Sequence, residues 1–188
     1  MEKTAVLKKP SGLWYWLTPV FLLVGLCGIW CLLSTAESVT IFWLWPVLIA
    51  LLLLVPFGWM LEKRRKWVKW GLLLGLAVLG LAFWLCQTDL LAQFPVLYQS
   101  IIGGRVEPTD VTGAVTFLTA AVTWIMLLCL WAKLAWLVWI LITLLLVAPT
   151  LIGFFPPLPT VFCLAVFQVA FAALVYGRRR SRRRKVVL

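Results

Sequence analysis

Six long stretches of this chain hold no Asp, Glu, Lys or Arg: Leu13–Leu33, Ile41–Leu61, Trp70–Cys86, Ala114–Trp131, Ala135–Phe154 and Thr160–Tyr176. A helix that crosses a hydrocarbon layer roughly 30 Å thick needs about 20 mostly apolar residues, and these runs are of that size. One charge at a span's centre would cost at least about 2.5–3.5 kcal/mol. Within hydrocarbon every backbone N–H and C=O must be paired internally, so each run is expected to be a helix. Barrel strands are ruled out, because they are about half as long and alternate apolar with polar residues. Pro19, Pro46, Pro56 and Pro149 fall inside or near the ends of runs, where neighbouring helices can satisfy the freed carbonyls.

The expected fold class is therefore all-α: a polytopic membrane helix bundle of six transmembrane helices. Composition agrees. Of 188 residues, 64% are hydrophobic and 12% charged, against about half and about a quarter in a soluble domain. Histidine and asparagine are absent. That excludes histidine bases, histidine metal ligands and N-glycosylation acceptors. No cofactor and no metal site is expected.

Lys and Arg set the orientation. With the N-terminus placed in the cytoplasm and the six spans alternating, every one of the 17 basic residues except Arg105 falls inside. Glu37, Asp89, Glu107 and Asp110 fall outside. Both termini are then cytoplasmic in a cell membrane. Residues 1–12 form the inner N-terminus, 13–176 the bundle and 177–188 a basic tail, expected to be disordered for its charge. The first span has a basic flank and the signal-like Ser34-Thr35-Ala36. Its apolar stretch exceeds the 7–15 or so residues of a signal core, so it reads as an uncleaved anchor.

The outer loop from Gln87 to Gly113 carries one more pattern. Leu90, Leu91, Phe94, Leu97, Tyr98 and Ile101 recur at helical spacing, which predicts a short interfacial helix over 89–102. Thr88 or Asp89 is placed to cap it, and Pro95 predicts a start or a bend there. The competing reading is an irregular loop with a chance apolar stripe.

Few side chains inside the spans have chemistry. Cys27, Cys31, Cys86, Cys129 and Cys163 lack partners for a metal site and a base for nucleophilic catalysis, and read as small core residues. Ten of the 13 tryptophans (Trp14, Trp16, Trp43, Trp45, Trp59, Trp67, Trp70, Trp84, Trp131 and Trp136) sit near span ends, as in interfacial belts. Thr112, Thr116, Thr119 and Thr123 share one face of the fourth span, with Thr143 and Gln168 near the middle of the fifth and sixth. A strip of this kind either lines a solute path or bonds helix to helix, and the second is the simpler reading. Gly71 and Gly75 form a small-xxx-small pair for close helix packing.

Two basic clusters flank the bundle: Lys63, Arg64, Arg65 and Lys66, and Arg178, Arg179, Arg180, Arg182, Arg183 and Arg184. No nucleic-acid-binding fold is present to use them. They are expected to contact anionic lipid head groups, at about 1 kcal/mol per residue near the surface.

The outer-loop segment LLAQFPVLYQSIIGG, the acidic turn after it, the threonine-bearing span, and LLLVAPTLIGFFPPLPTVFCLAVFQVAF with Pro149, Gly153 and Pro156-Pro157 together resemble the N-terminal membrane region of bacterial transglutaminase-like membrane proteins. The resemblance covers roughly residues 13–185. It implies a membrane module, because that family's Cys-His-Asp catalytic set has no counterpart here. The expected function is thus a non-catalytic anchoring or scaffolding module, with the lipid bilayer and a membrane protein as the expected partners. The alternative is a small-solute transporter or its membrane substrate-binding subunit. In size the chain resembles the membrane subunit of energy-coupling-factor vitamin importers, without their alanine-rich docking motif.

Overall fold

A computed structural model describes residues 13–35, 39–63, 65–101, 108–151 and 155–183. The described chain is helical, with seven α-helices and one two-stranded pairing. The elements are α1 (Leu13–Leu33), β1 (Val39–Thr40), α2 (Leu44–Lys63), α3 (Arg65–Leu85), α4 (Gln87–Ile101), β2 (Thr109–Asp110), α5 (Thr112–Ala132), α6 (Ala135–Leu151) and α7 (Leu158–Arg183). Two helical segments, Thr112–Ala132 and Leu158–Tyr176, are long and apolar enough to cross a membrane. The bent pair Trp70–Leu85 and Gln87–Ile101 makes a third if it is one broken span. Leu17–Leu33, Leu44–Phe57 and Ala135–Val147 are shorter apolar helices.

Two helix pairs organise the bundle: α1 packs most extensively on α7, and α2 on α5. The first pair is antiparallel, with Gly25 against Phe167 and Gly28 against Leu164. The second is parallel. β1 and β2 pair in parallel register, Val39 with Thr109 and Thr40 with Asp110, and each leads directly into its helix. The bundle therefore has a β end, where α2 and α5 begin. At its other end lie the start of α1, the α2–α3 and α5–α6 turns and the end of α7. The core between them holds Leu22, Leu26, Leu54, Leu72, Leu127, Leu164, Phe167 and Phe171. A smaller cluster of Leu33, Leu97, Val111 and Val115 closes the β end.

The helix expected in the outer loop is present as α4, bent 86° from α3 about Cys86. It runs through Pro95 without interruption. Its buried face differs from the expected one. Leu90, Leu97 and Ser100 are buried, while Leu91 and Tyr98 are 60% and 58% exposed. Leu90 and Leu97 belong to the expected stripe, but the covered line is narrower than that stripe, with Leu97 packed against Val111 and Val115 at the start of α5. At the far end α7 does not stop at Tyr176 but continues to Arg183. Arginine is a good helix former, the span has already nucleated the helix, and cations suit its C-terminus. Residues 152–154 of the expected fifth span, with Arg64 and Arg184, lie outside the described residues.

Candidate functional site

Two separate groups of polar side chains lie between the helices. In the first, α5 presents Thr119 and Thr123, both buried. Trp30 Nε1 of α1 donates to Thr119 Oγ1 at 3.0 Å. Thr123 Oγ1 donates to the Thr119 carbonyl one turn back, at 2.7 Å. A buried indole N–H needs an acceptor in an apolar core, and a threonine hydroxyl supplies one without a charge. Thr116 Oγ1, one turn nearer the β end, is buried with no partner among the described residues.

The second group lies between α6 and α7. Gln168 Nε2 faces Thr143 Oγ1 and the Trp139 carbonyl, both at 3.4 Å. These long contacts are at the weak end of hydrogen bonding, and Thr143 is exposed. Of the six residues expected to form one polar strip, Thr119 lies at the α1–α5 interface with Thr123 bonded back to its carbonyl, Thr143 and Gln168 lie at α6–α7, and Thr112 lies at the β end with Phe42 and Asp110, while Thr116 Oγ1 has no partner among the described residues.

Gly71 and Gly75 both face neighbours within the chain. A Cβ on Gly71 would lie 3.1 Å from Phe57 Cε1, and one on Gly75 would fall inside the Trp124 ring. Trp124 is held in place from two sides. Its Nε1 donates to the Leu72 carbonyl at 3.1 Å, and its ring meets Phe57 edge-on at 4.6 Å.

A polar network sits at the β end. The Val111 N–H donates to the Thr40 carbonyl at 3.2 Å. The Phe42 N–H donates to Thr112 Oγ1 at 2.9 Å, and the Thr112 N–H to Asp110 Oδ1 at 2.9 Å. The Thr112 hydroxyl also donates to Asp110 Oδ1. Gln93 Oε1 of α4 accepts from the Ala114 N–H at 2.8 Å. Asp110 and Gln93 thereby satisfy two of the amide groups that the start of α5 leaves unpaired. The Thr112 hydroxyl, then its N–H, holds the Asp110 carboxyl below its ordinary pKa.

Of the basic residues, Lys63 ends α2, Arg65 and Lys66 open α3, and Arg178, Arg179, Arg180, Arg182 and Arg183 lie in the last turns of α7. The packing of the two helix pairs carries all of them to the same end of the bundle. Lys133, at the α5–α6 turn of that end, adopts a left-handed conformation (φ 61°) and its N–H bonds the Cys129 carbonyl.

Sequence reasoning missed the tryptophan partners. Trp30, Trp124 and Trp139 are the three tryptophans left over once the interfacial belts are assigned. Trp30 and Trp124 donate their indole N–H across helix interfaces, whereas Trp139, 43% exposed, offers only its backbone carbonyl.

No family model, no curated protein and no solved structure matches this chain.

Proposed function

We propose that the chain is a six-span integral membrane protein with both termini on the cytoplasmic face, and that it works as a non-catalytic anchoring or scaffolding module. The observation that carries this reading is an inverted distribution of polarity. Leu74, Trp84, Leu144 and Phe162, on α3, α6 and α7, are 69%, 66%, 63% and 70% exposed. Meanwhile polar side chains of α5 are spent internally: Thr119 accepts from Trp30 of α1, Trp124 donates to the Leu72 carbonyl of α3, and Thr123 donates to the Thr119 carbonyl of its own helix. Apolar surface spread over several helices suits a hydrocarbon solvent, and internally paired polar groups suit packing rather than chemistry. The right-angle turn into α4 suits a helix lying along the outer head groups.

The basic end faces the cytoplasm in this reading, where Lys63, Arg64, Arg65, Lys66 and Arg178 to Arg184 contact anionic lipid. Nucleic acid is not a partner. A relationship to the membrane part of transglutaminase-like proteins rests on the sequence segments alone. One observation favours the transporter alternative: the buried, unpartnered Thr116 hydroxyl, a spare polar group near the β end.

Two experiments test the proposal. In a background with all native cysteines replaced by serine, a membrane-impermeant maleimide is expected to label Thr109→Cys in intact cells, and Ser181→Cys only after permeabilisation. Labelling of Ser181→Cys in intact cells refutes the orientation. Proteoliposomes exposed to a panel of small neutral solutes are expected to swell no faster than empty vesicles. Faster swelling that is lost in Thr116→Val supports transport instead.

A further inference from the structure

Cys27 and Cys31 stand four apart on α1, and the fold brings a third cysteine to them. α1 and α7 are antiparallel, with Gly25 opposite Phe167 and Gly28 opposite Leu164. That register puts Cys163 at the level of Ile29, midway between Cys27 and Cys31. With a rise of about 1.5 Å per residue, Cys163 is offset along the axis by only about 3 Å from each. The two backbones approach closely here: a Cβ on Gly28 would lie 3.2 Å from Cys163 Cβ and 2.9 Å from Leu164 Cγ. All three cysteines are free thiols; Cys27 is exposed and the other two are half-buried.

A disulfide needs Cα atoms about 4.4–6.8 Å apart with converging Cβ atoms. Cysteines four apart on one straight helix fit this poorly, whereas Cys163, whose Cβ abuts the α1 backbone at Gly28, stands within a few ångströms of the α1 turn that carries Cys27 and Cys31. Among the described residues no group of three His, Cys, Asp or Glu is arranged to hold a metal ion, so the cluster is read as thiol chemistry. It lies close to the β end, since Cys31 is in the last turn of α1 and Cys163 in the second turn of α7.

We propose that Cys27, Cys31 and Cys163 form a redox-responsive site that closes a disulfide between α1 and α7, with a disulfide-bearing molecule as the oxidant. The Cys163 sulfur, as thiolate, attacks one sulfur of the oxidant. The oxidant's S–S bond breaks, and one half leaves as a thiolate that takes up a proton. Cys27 or Cys31 then attacks the Cys163 sulfur of the mixed disulfide and expels the second half, which is also protonated. Two protein thiols lose two electrons and two protons, and one oxidant disulfide becomes two thiols. Because Cys163 lies between the two α1 cysteines, either one completes the bond, and the third thiol can exchange it. The helix crossing is independent of the membrane orientation proposed above. In that orientation the site is at the outer end, the side on which disulfides persist.

The test uses the purified full-length chain carrying Cys86→Ser and Cys129→Ser, treated in micelles with one equivalent of dithiodipyridine. The expected result is release of two thiopyridones per protein and a peptide from α1 linked to one from α7. The link survives in Cys27→Ser and in Cys31→Ser and disappears in Cys163→Ser. The oxidised protein unfolds at a higher temperature than the reduced protein, and reductant reverses the rise. Pyridyl adducts that persist without an α1–α7 link overturn the proposal, as does a link joining only Cys27 to Cys31. Peptide mapping of the protein with all three thiols decides the question even if a serine variant fails to fold.

Discussion

Replacing Gly75 by alanine places a methyl group inside the Trp124 ring. The ring must move, and it is held by the bond from its Nε1 to the Leu72 carbonyl and by the edge-on contact with Phe57. Overpacking of this kind costs about 1–3 kcal/mol. Loss of the indole hydrogen bond adds about 0.5–1.5 kcal/mol, and loss of the aromatic contact a similar amount. Alanine returns about 1 kcal/mol as the better helix former. The net expectation is a destabilisation of about 1–5 kcal/mol. The same helix supplies its own controls. Nothing lies within 4 Å of a Cβ on Gly80, so Gly80→Ala feels propensity alone and stabilises by up to about 1 kcal/mol. A Cβ on Gly71 meets Phe57 Cε1 at 3.1 Å, so Gly71→Ala falls between the two. Unfolding in mixed micelles titrated with sodium dodecyl sulfate, followed by far-ultraviolet circular dichroism, ranks the three variants. A Gly75→Ala protein as stable as Gly80→Ala would refute the placement of Trp124 and the α3–α5 packing with it.

Thr119→Val leaves the Trp30 N–H unpartnered in the core and is expected to cost about 1–3 kcal/mol. Thr143→Val, at an exposed position with a long contact, should stay within about 0.5 kcal/mol of the parent in the same titration. Gln93→Leu removes the acceptor for the Ala114 N–H, at a cost of about 0.5–2 kcal/mol, and should speed hydrogen exchange at the start of α5; Gln93→Glu, which keeps an acceptor, should restore protection. Asp110 has a folded pKa below its unfolded one, so its contribution is present above the unfolded value of about 3.9 and is lost as pH falls through the lower folded value. Acid unfolding curves of the parent and Asp110→Asn should therefore differ near neutral pH and converge in strong acid; a difference that grows on acidification contradicts the Thr112 bonds.

The helical fold was legible because hydrocarbon leaves a chain so few options. Charge-free runs marked where the helices lie, and α1 begins and ends at the residues read from sequence. Legibility failed where a decision depends on a distant partner. The β1–β2 pairing joins residues seventy positions apart, with too few residues to show any alternation. The stripe on α4 looked broad because Leu91 and Tyr98 share the helical period, and only the position of α5 tells which line is buried. The threonine strip was visible as a pattern, but Trp30, the partner that explains Thr119, lies 89 residues away. The end of α7 is not legible from charge, because an arginine-rich segment that continues an established helix stays helical without burial.

In the membrane setting proposed above, lipid chains are as apolar as leucine, so burying apolar surface would do little to bring these helices together, and close van der Waals contact would have to do it. The structure meets that requirement twice in the same way. Phe167 of α7 lies over Gly25 of α1, where an added Cβ would come within 2.8 Å of Cγ of the ring, and Trp124 of α5 lies over Gly75 of α3. In each case a large flat side chain fills the space that a missing Cβ leaves. The Gly71–Gly75 spacing exposed one such contact to sequence reading. The Gly25–Gly28 spacing, one residue shorter, did not, although it belongs to the most extensive helix pair. Each contact joins helices distant in sequence, α1 with α7 and α3 with α5. A bundle held this way depends on a few shape-matched crossings and tolerates change along its exposed sides. Bulk added at Gly25 or Gly75 should therefore be more damaging than bulk added at any exposed leucine of α3 or α6.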